Sequence, residues 1–545
     1  MKKFYTILVA FAMLCVTSCT KSGLLNQIPA DAGIVVVGNL KTIVESAGGS
    51  LSGSEIKIPN YIGDELSRRS AENMDEFKEN LESSGINAEE AAIILDLGNK
   101  YPSEPVFVVA VDDKKKFAEF IAYKGFSARS SDGDVEFYVK EDSYWGTYEF
   151  LAFDGKYCYY IDEVWDEDFN GVAYLRKVIE RAHDKSLAKT SCGDYIAGGN
   201  ALGFILNLSN EDLQRDVRRS GLPAMFAEGF LCMRGNLKGN RASLEMKMFD
   251  AQGKERKFDF MKEYMDISAT INKNALAFLG EDEFMVHATS MKDVKWDKLA
   301  DVVLADLSRS ERMQANLVLS YLENIDGTIA YGFGFTNGFE SIAAMEYGAD
   351  MLKNISCTAV VETKDGKAKR LLEDMKGLME ESGIPFADTA NGFSIDLSAF
   401  SREEGAIYVE CVDNFLVAST RPVMKRSNPV VKQINAGKYM TLIAAVQNRS
   451  DKMMSDLGID NDVQIMFTAD PGTLDMRIEL EVDGNGSDGV IARVAKAVIN
   501  IAKHADAVYE RYYRSRYNYY YDDDDDEDFE YYIDEAVEMI DEALW

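Results

Sequence analysis

Short blocks in which apolar side chains alternate with polar ones, or run unbroken for a few residues, recur along most of the chain. A period of two reads as β-strand. Val106 to Val111, Phe150 to Phe153 and Tyr157 to Ile161 are of this kind, the last two joined across an Asp154-Gly155 turn. Between them, Lys114 to Tyr123 reads as a helix. A second series follows in the same order: Cys357 to Glu362, a helix over Lys367 to Glu381, then Ala406 to Cys411 and Phe415 to Ala418 turning at Asp413-Asn414. Ahead of the two series stand Ile28-Pro29-Ala30-Asp31-Ala32 with the β-rich run Ile34 to Val37, and Ile271-Asn272-Lys273-Asn274-Ala275 with Leu276 to Leu279. Behind them, Ile196 to Asn200 leads into Leu202 to Leu208 and a helix near Glu211, while Ile434 to Lys438 leads into Met440 to Val446 and a helix near Lys452.

Each series closes with a hairpin, Gly229 to Gly235 with Ala242 to Phe249 and Val463 to Thr468 with Thr473 to Val482. Ser243 to Met248 and Leu474 to Leu480 alternate apolar and polar residues, so each sheet is expected to bury one face and wet the other. Strands that arrive as adjacent hairpins, with helices between groups, predict an α+β fold. The expected architecture is two similar halves, 28–266 and 267–506, each of mixed or antiparallel sheets covered by helices and related by duplication. Their junction, near Phe258 to Ser268, is where a cleft is expected. Val490 to Tyr509 carries apolar residues at 491, 494, 498, 501 or 502, and 508, which predicts an amphipathic helix packed on the second half.

The amino terminus follows a different pattern. Lys2 and Lys3 precede an apolar stretch from Phe4 to Val16, too short for the roughly 20 residues of a spanning helix and right for a secretory signal. It ends on Val16-Thr17-Ser18-Cys19, which resembles the lipobox of bacterial lipoproteins. That resemblance implies cleavage between Ser18 and Cys19, removal of 1–18, and lipidation of the Cys19 thiol. Residues 19–27 then read as a tether, of which Thr20 to Gln27 reach at most ~28 Å when extended. The absence of Asp after Cys19 and of acids in the tether favours, by analogy, the periplasmic face of the outer membrane.

The carboxyl terminus, 507–545, is again different material. It holds nine of the 27 tyrosines and an unbroken acidic run of Asp522, Asp523, Asp524, Asp525, Asp526, Glu527 and Asp528. Adjacent carboxylates repel one another, so the run is expected to stay solvated. Ile533, Val537, Ile540 and Leu544 then recur at helical spacing, an acidic amphipathic helix in search of an apolar surface. A spacer with a helix docked on its own body, a device that captures a cationic partner, and a weak calcium site are the competing readings of this tail. Calcium needs oxygen ligands held in place, which an Asp run does not provide.

Composition narrows the function classes. Over 545 residues, 46% hydrophobic and 28% charged is a globular balance. Acids outnumber bases 92 to 59, a net charge of −33, so nucleic acid is not expected as a partner. Only three histidines occur, His183, His287 and His504, none in a metal-ligand or triad spacing. Cys158, Cys192, Cys232, Cys357 and Cys411 show no CxxC pair and signal neither zinc nor a disulfide framework. Gly332-Phe333-Gly334 has the wrong spacing for a dinucleotide loop and reads as a glycine-relieved strand or hairpin. Asp483 to Gly489 reads as a strand-to-helix turn with Asp488 at its N-cap. Tyr144-Trp145 and Trp165 read either as an aromatic hairpin packed on a sheet or as a sugar platform. No cofactor and no catalytic set is signalled.

With the lipobox, Ile28 to Ala32, Val35-Val36-Val37 and Leu40-Lys41-Thr42-Ile43 together, the chain resembles a family of Bacteroidota envelope lipoproteins carrying a domain of unknown function. The resemblance implies an envelope lipoprotein and no particular activity. The expected function is a lipid-anchored binding protein for a protein or glycan close to the outer membrane, its membrane contact made through the lipid. A carboxylate-dependent hydrolase acting on a glycan or peptide is one alternative, recognisable by two buried carboxyls facing one another in a cleft. A structural subunit whose tail docks into an envelope complex is the other.

Overall fold

The computed structural model describes residues 23–63, 68–96, 104–166, 168–210, 214, 228–298, 319–339, 351–399, 405–434, 439–447, 451–484 and 486–509. They fall into two compact units, one of 23–256 and 486–498, the other of 257–484 and 499–509. Helices and antiparallel sheets build both, in keeping with the α+β expectation. Ser18, Cys19, the tail residues from Asp522 to Leu544 and the start of the helix read near Glu211 lie outside the described residues.

In the first unit, beside a small hairpin of Ser50–Ser52 with Glu55–Lys57, the strands of the large sheet are β1 (Ile34–Asn39), β2 (Ile86–Leu95), β3 (Val106–Val111), β4 (Ser127–Asp132), β5 (Val135–Asp142), β6 (Thr147–Phe153), β7 (Tyr157–Val164), β8 (Leu202–Asn207), β9 (Phe230–Lys238) and β10 (Arg241–Phe249). Their hydrogen-bonded order is β10-β9-β8-β1-β2-β3-β7-β6-β5-β4, antiparallel throughout. The helices include α1 (Leu40–Ser46), α2 (Arg68–Ser84), α3 (Lys114–Tyr123), α4 (Gly171–Asp184) and α5 (Ser191–Ile196). Val35, Val37, Val106, Val108, Tyr159 and Ile161 project to one face of the sheet and form a core with Leu175, Val178 and Ile179 of α4. On the opposite face, Phe117 and Ile121 of α3 pack with Val111, Leu151 and Cys158, and Phe77 and Leu81 of α2 with Ala88. The central strands are therefore covered on both sides. This corrects the expectation of one wet face: β1, β3 and β7 are apolar at successive positions, not at alternate ones. The closing strand β10 does not alternate cleanly either, its positions 242–247 all being half-buried.

Side-chain caps fix where the helices begin. The Asp113 carboxylate accepts from the backbone N–H groups of Lys115 and Lys116, each at 3.0 Å, to open α3. Asn170 accepts from Ala173 N–H at 3.0 Å to open α4. The next residue is Gly171 because a Cβ there would collide with the Phe150 ring. Tether and body also meet differently from the sequence reading. Gly23–Gln27 forms a 3-10 turn with Leu24 and Leu25 buried in the core, and Gln27 accepts the Tyr159 hydroxyl at 2.7 Å. Leu24 and Leu25 of the expected tether are thus core residues, since two adjacent leucines belong in a core and not in a solvated spacer. Asp31 of the opening motif pairs with Arg181 at 2.9 Å, whose guanidinium also binds the buried Asp96 at 2.5 and 3.1 Å.

In the second unit, the strands are β11 (Met285–Ser290), β12 (Ile325–Phe339), β13 (Ile355–Thr363), β14 (Ala387–Asp388), β15 (Gly392–Asp396), β16 (Ala406–Val412), β17 (Phe415–Ser419), β18 (Met440–Val446), β19 (Val463–Ala469) and β20 (Met476–Val482). Their antiparallel order is β20-β19-β18-β11-β12-β13-β17-β16-β15-β14. Its helices include α6 (Lys273–Leu276), α7 (Lys367–Ser382) and α8 (Lys452–Asp456). Leu276 to Leu279, expected as the opening strand, is instead the end of α6 and the turn after it. Asn272 caps that turn through Asn274 N–H at 3.0 Å, and Leu276, Phe278 and Leu279 are buried as the lid of a core formed with Val286, Val360 and Val417. The opening strand is β11.

The carboxyl-terminal helix α9 (Val490–Tyr509) has the bounds that its periodicity predicts, but its buried side differs. Val490 and Ala492 are buried, whereas Val494, Val498 and Ile501 of the expected stripe are 37–40% exposed. Its first turn is fixed in the first unit by Val490 N–H on the Gly239 carbonyl at 2.8 Å and by Ile491 N–H on the Ser46 hydroxyl. That placement corrects the assignment of the whole helix to the second half. Arg493 turns inward to bind the carbonyls of Gly486 and Asp488, each at 2.8 Å. Asp488 pairs with Lys496 at 2.5 Å.

Candidate functional site

A cavity of about 260 Å³ lies within the first unit, between the sheet and helices α2 and α3. Phe77, Leu81, Phe117 and Phe120 wall it from the helices, Phe107 and Leu151 from the strands. Small residues leave the space: Gly38 on β1 and Ala88, Ala91 and Ala92 along β2 line it. The β2 pairing shifts register between Asn87 and Ala91, a bulge that brings neighbouring residues to the same side. Sequence pattern alone brings none of these residues together, and the cleft it leads one to expect, near Phe258 to Ser268, involves none of them.

The cavity wall also carries a chain of polar side chains on adjacent strands. Lys140 of β5 stands directly opposite Glu149 of β6, and their ion pair spans 2.5 Å. The β6–β7 register shifts between Tyr148 and Phe150, so that Asp162 and Glu163 together oppose Glu149, with Glu163 at a φ of 32°. This bulge brings two carboxylates to one phenol: the Tyr160 hydroxyl lies 2.6 Å from Glu149 Oε2 and 2.6 Å from Asp162 Oδ1. A phenol has one hydrogen, which it donates to one carboxylate; the second short contact needs a proton on the other. Burial, helped by the charges of Glu149 and Glu163, pushes the Asp162 carboxyl up to about 6 against the hydrogen bond from Tyr160, so below that pH Asp162 carries such a proton. Burial likewise pushes the Tyr160 phenol well above its usual range. At the carboxyl end of α3, Lys124 reaches the Asn80 side-chain oxygen on α2 at 2.9 Å and lies 5.3 Å from the centre of the Phe120 ring. Cys158, Tyr160 and Asp162 sit at every second position of β7, a signal for one face that the sequence reading did not use.

The second unit contains a different buried acid. Glu283 has no exposed surface and accepts from Gly280 N–H at 2.8 Å and from the hydroxyls of Thr358 at 2.6 Å and Ser356 at 3.3 Å. Burial pushes its carboxyl up despite those bonds. Gly332 on β12 leaves the room that Glu283 fills, and Gly334 leaves room for the Asp282 backbone, which explains the Gly332-Phe333-Gly334 strand. With its oxygens satisfied by donors from two segments, Glu283 is a structural acid.

The remaining candidates are dispersed. His183 and His504 are exposed on α4 and α9, and His287 lies on β11 against Tyr331. Among the described residues, no cluster of His, Cys, Asp or Glu could hold a metal ion, and the five cysteines are free thiols. Tyr144 and Trp145 are not packed on the sheet: they cap the β5–β6 turn, 83% and 54% exposed, with Trp165 also exposed. Among the described residues no helix is long and apolar enough to cross a membrane. No family model matches the chain, no curated protein matches it, and no solved structure matches it.

Proposed function

We propose that the chain is a lipid-anchored envelope protein of the binding kind, whose first unit receives an apolar molecule between its sheet and helices α2 and α3. The observation that carries this is the cavity, whose aromatic and aliphatic walls and few convergent polar groups are the make-up of a small-molecule pocket. Its volume exceeds the ~150 Å³ that suffices for benzene in an engineered cavity. The lipobox ending at Cys19 supports anchoring, and a periplasmic address at the outer membrane accords with the absence of acids after it. Because Gly23 is already part of the fold, a lipid on Cys19 would hold it within ~14 Å of the bilayer. The identical strand order of the two units supports a duplication of one α+β ancestor. A protein or glycan partner would find Tyr144, Trp145 and Trp165 accessible.

Glu149 and Asp162 are the acid pair that a hydrolase would require. Against that reading, their bridging oxygens are taken by Lys140 and Tyr160, and the walls offer a sugar or peptide few hydrogen-bond partners. The binding reading is tested with N-phenyl-1-naphthylamine, a neutral dye that brightens in apolar surroundings. The protein should enhance its fluorescence, and Ala91→Phe, which fills the cavity, should abolish the enhancement while far-UV circular dichroism stays unchanged. Undiminished fluorescence in a folded Ala91→Phe protein would sink the assignment.

A further inference from the structure

Charge accounting in the cavity wall narrows the occupant. Two lysines and two acids line it: Lys124, Lys140, Glu149 and Asp162. Lys140 is neutralised by Glu149 at 2.5 Å. Asp162 shares the Tyr160 hydroxyl with Glu149 and cannot bond to it as a second carboxylate without a proton of its own. That leaves Lys124. Its ammonium has three hydrogens, donates one to the neutral Asn80 amide oxygen, and lies against the Phe120 and Tyr123 rings. With Asp162 protonated, the lining of this largely apolar space therefore carries, among the described residues, one cationic head whose charge no acid balances.

We infer that the cavity takes a medium-chain amphipathic carboxylate, its alkyl chain between the sheet and α2–α3 and its carboxylate on Lys124. This rests on the cavity reading and adds the head group to it. The space exceeds the ~150 Å³ that holds benzene and leaves room for a medium-length alkyl chain. A charge-assisted hydrogen bond is what separates such a ligand from an alcohol of the same length.

The test is displacement of N-phenyl-1-naphthylamine at pH 5.5 by decanoate, decan-1-ol and decylamine, which share a chain and differ in charge. Decanoate should displace the dye at roughly tenfold lower concentration than the other two, the scale of one hydrogen bond to a charged group. Lys124→Gln should bring decanoate to the level of decanol without changing dye affinity, and Lys124→Arg should keep the preference. Equal displacement by decanoate and decanol, a preference for decylamine, or a decanoate preference that survives Lys124→Gln would overturn the head-group assignment and leave the apolar cavity standing. Failure of the dye to bind at all would overturn both.

Discussion

Asp162 couples the cavity to pH, and the sign follows from its burial. Its carboxyl titrates near 6 in the folded protein against 3.8 when unperturbed, burial being the main cause. The folded state therefore binds more protons than the unfolded one between those values, and stability falls as pH rises through that window. The full cost, present above pH 6, is about 3 kcal/mol. Asp162→Asn keeps an acceptor for Tyr160 and removes the charge. Urea unfolding of both proteins should give similar stability near pH 4.5 and a gain for Asp162→Asn near pH 7.5; a constant difference across that range would refute the assignment. Of this chemistry, the sequence shows only that Cys158, Tyr160 and Asp162 share a face. That Glu149 meets them depends on the bulge opposite Asp162 and Glu163, and strand register is set by packing and turns, not by local composition.

Elements were more legible than sites. The two hairpins that turn at Asp154-Gly155 and Asp413-Asn414, helices α3 and α7, and the length of α9 all follow from periodicity and breaker residues. Leu276 to Leu279 shows the limit: a short apolar run reads equally as strand or as buried turn, and the Asn272 cap decides it. Likewise, α9 turns a side inward that its apolar stripe does not predict, because backbone bonds to Gly239 and Ser46 fix its first turn. The entry to α4 offers a test at this scale. Asn170→Ala removes the cap and should cost about 1 kcal/mol. Gly171→Ala, although alanine is the better helix former, should cost about 1–3 kcal/mol because its methyl meets the Phe150 ring. Chemical denaturation that found Gly171→Ala more stable than wild type would show that the helix can shift away from the sheet.

At the scale of the molecule, neither the cavity nor the common strand order of the units is written in any one segment. The cavity is a volume left where Gly38 and the β2 alanines face large aromatics from α2 and α3, and periodicity assigns faces without giving the gap between layers. The proposed anchor is the reverse case, resting on a few residues and independent of the fold. Several acyl chains at Cys19, at about 0.8 kcal/mol per buried methylene, would hold the body stably at a membrane, which one chain would not. Intact-mass measurement of the membrane fraction should find a chain that begins at Cys19 and carries diacylglycerol. Cys19→Ser should block both cleavage and lipidation, and a chain starting at Thr20 should be freely dissolved yet still brighten the naphthylamine dye, because its cavity lies wholly in the folded unit beyond Gly23. An unmodified Cys19 in the native protein would remove the bilayer from the picture, and the cavity's ligand would then have to be sought among dissolved molecules.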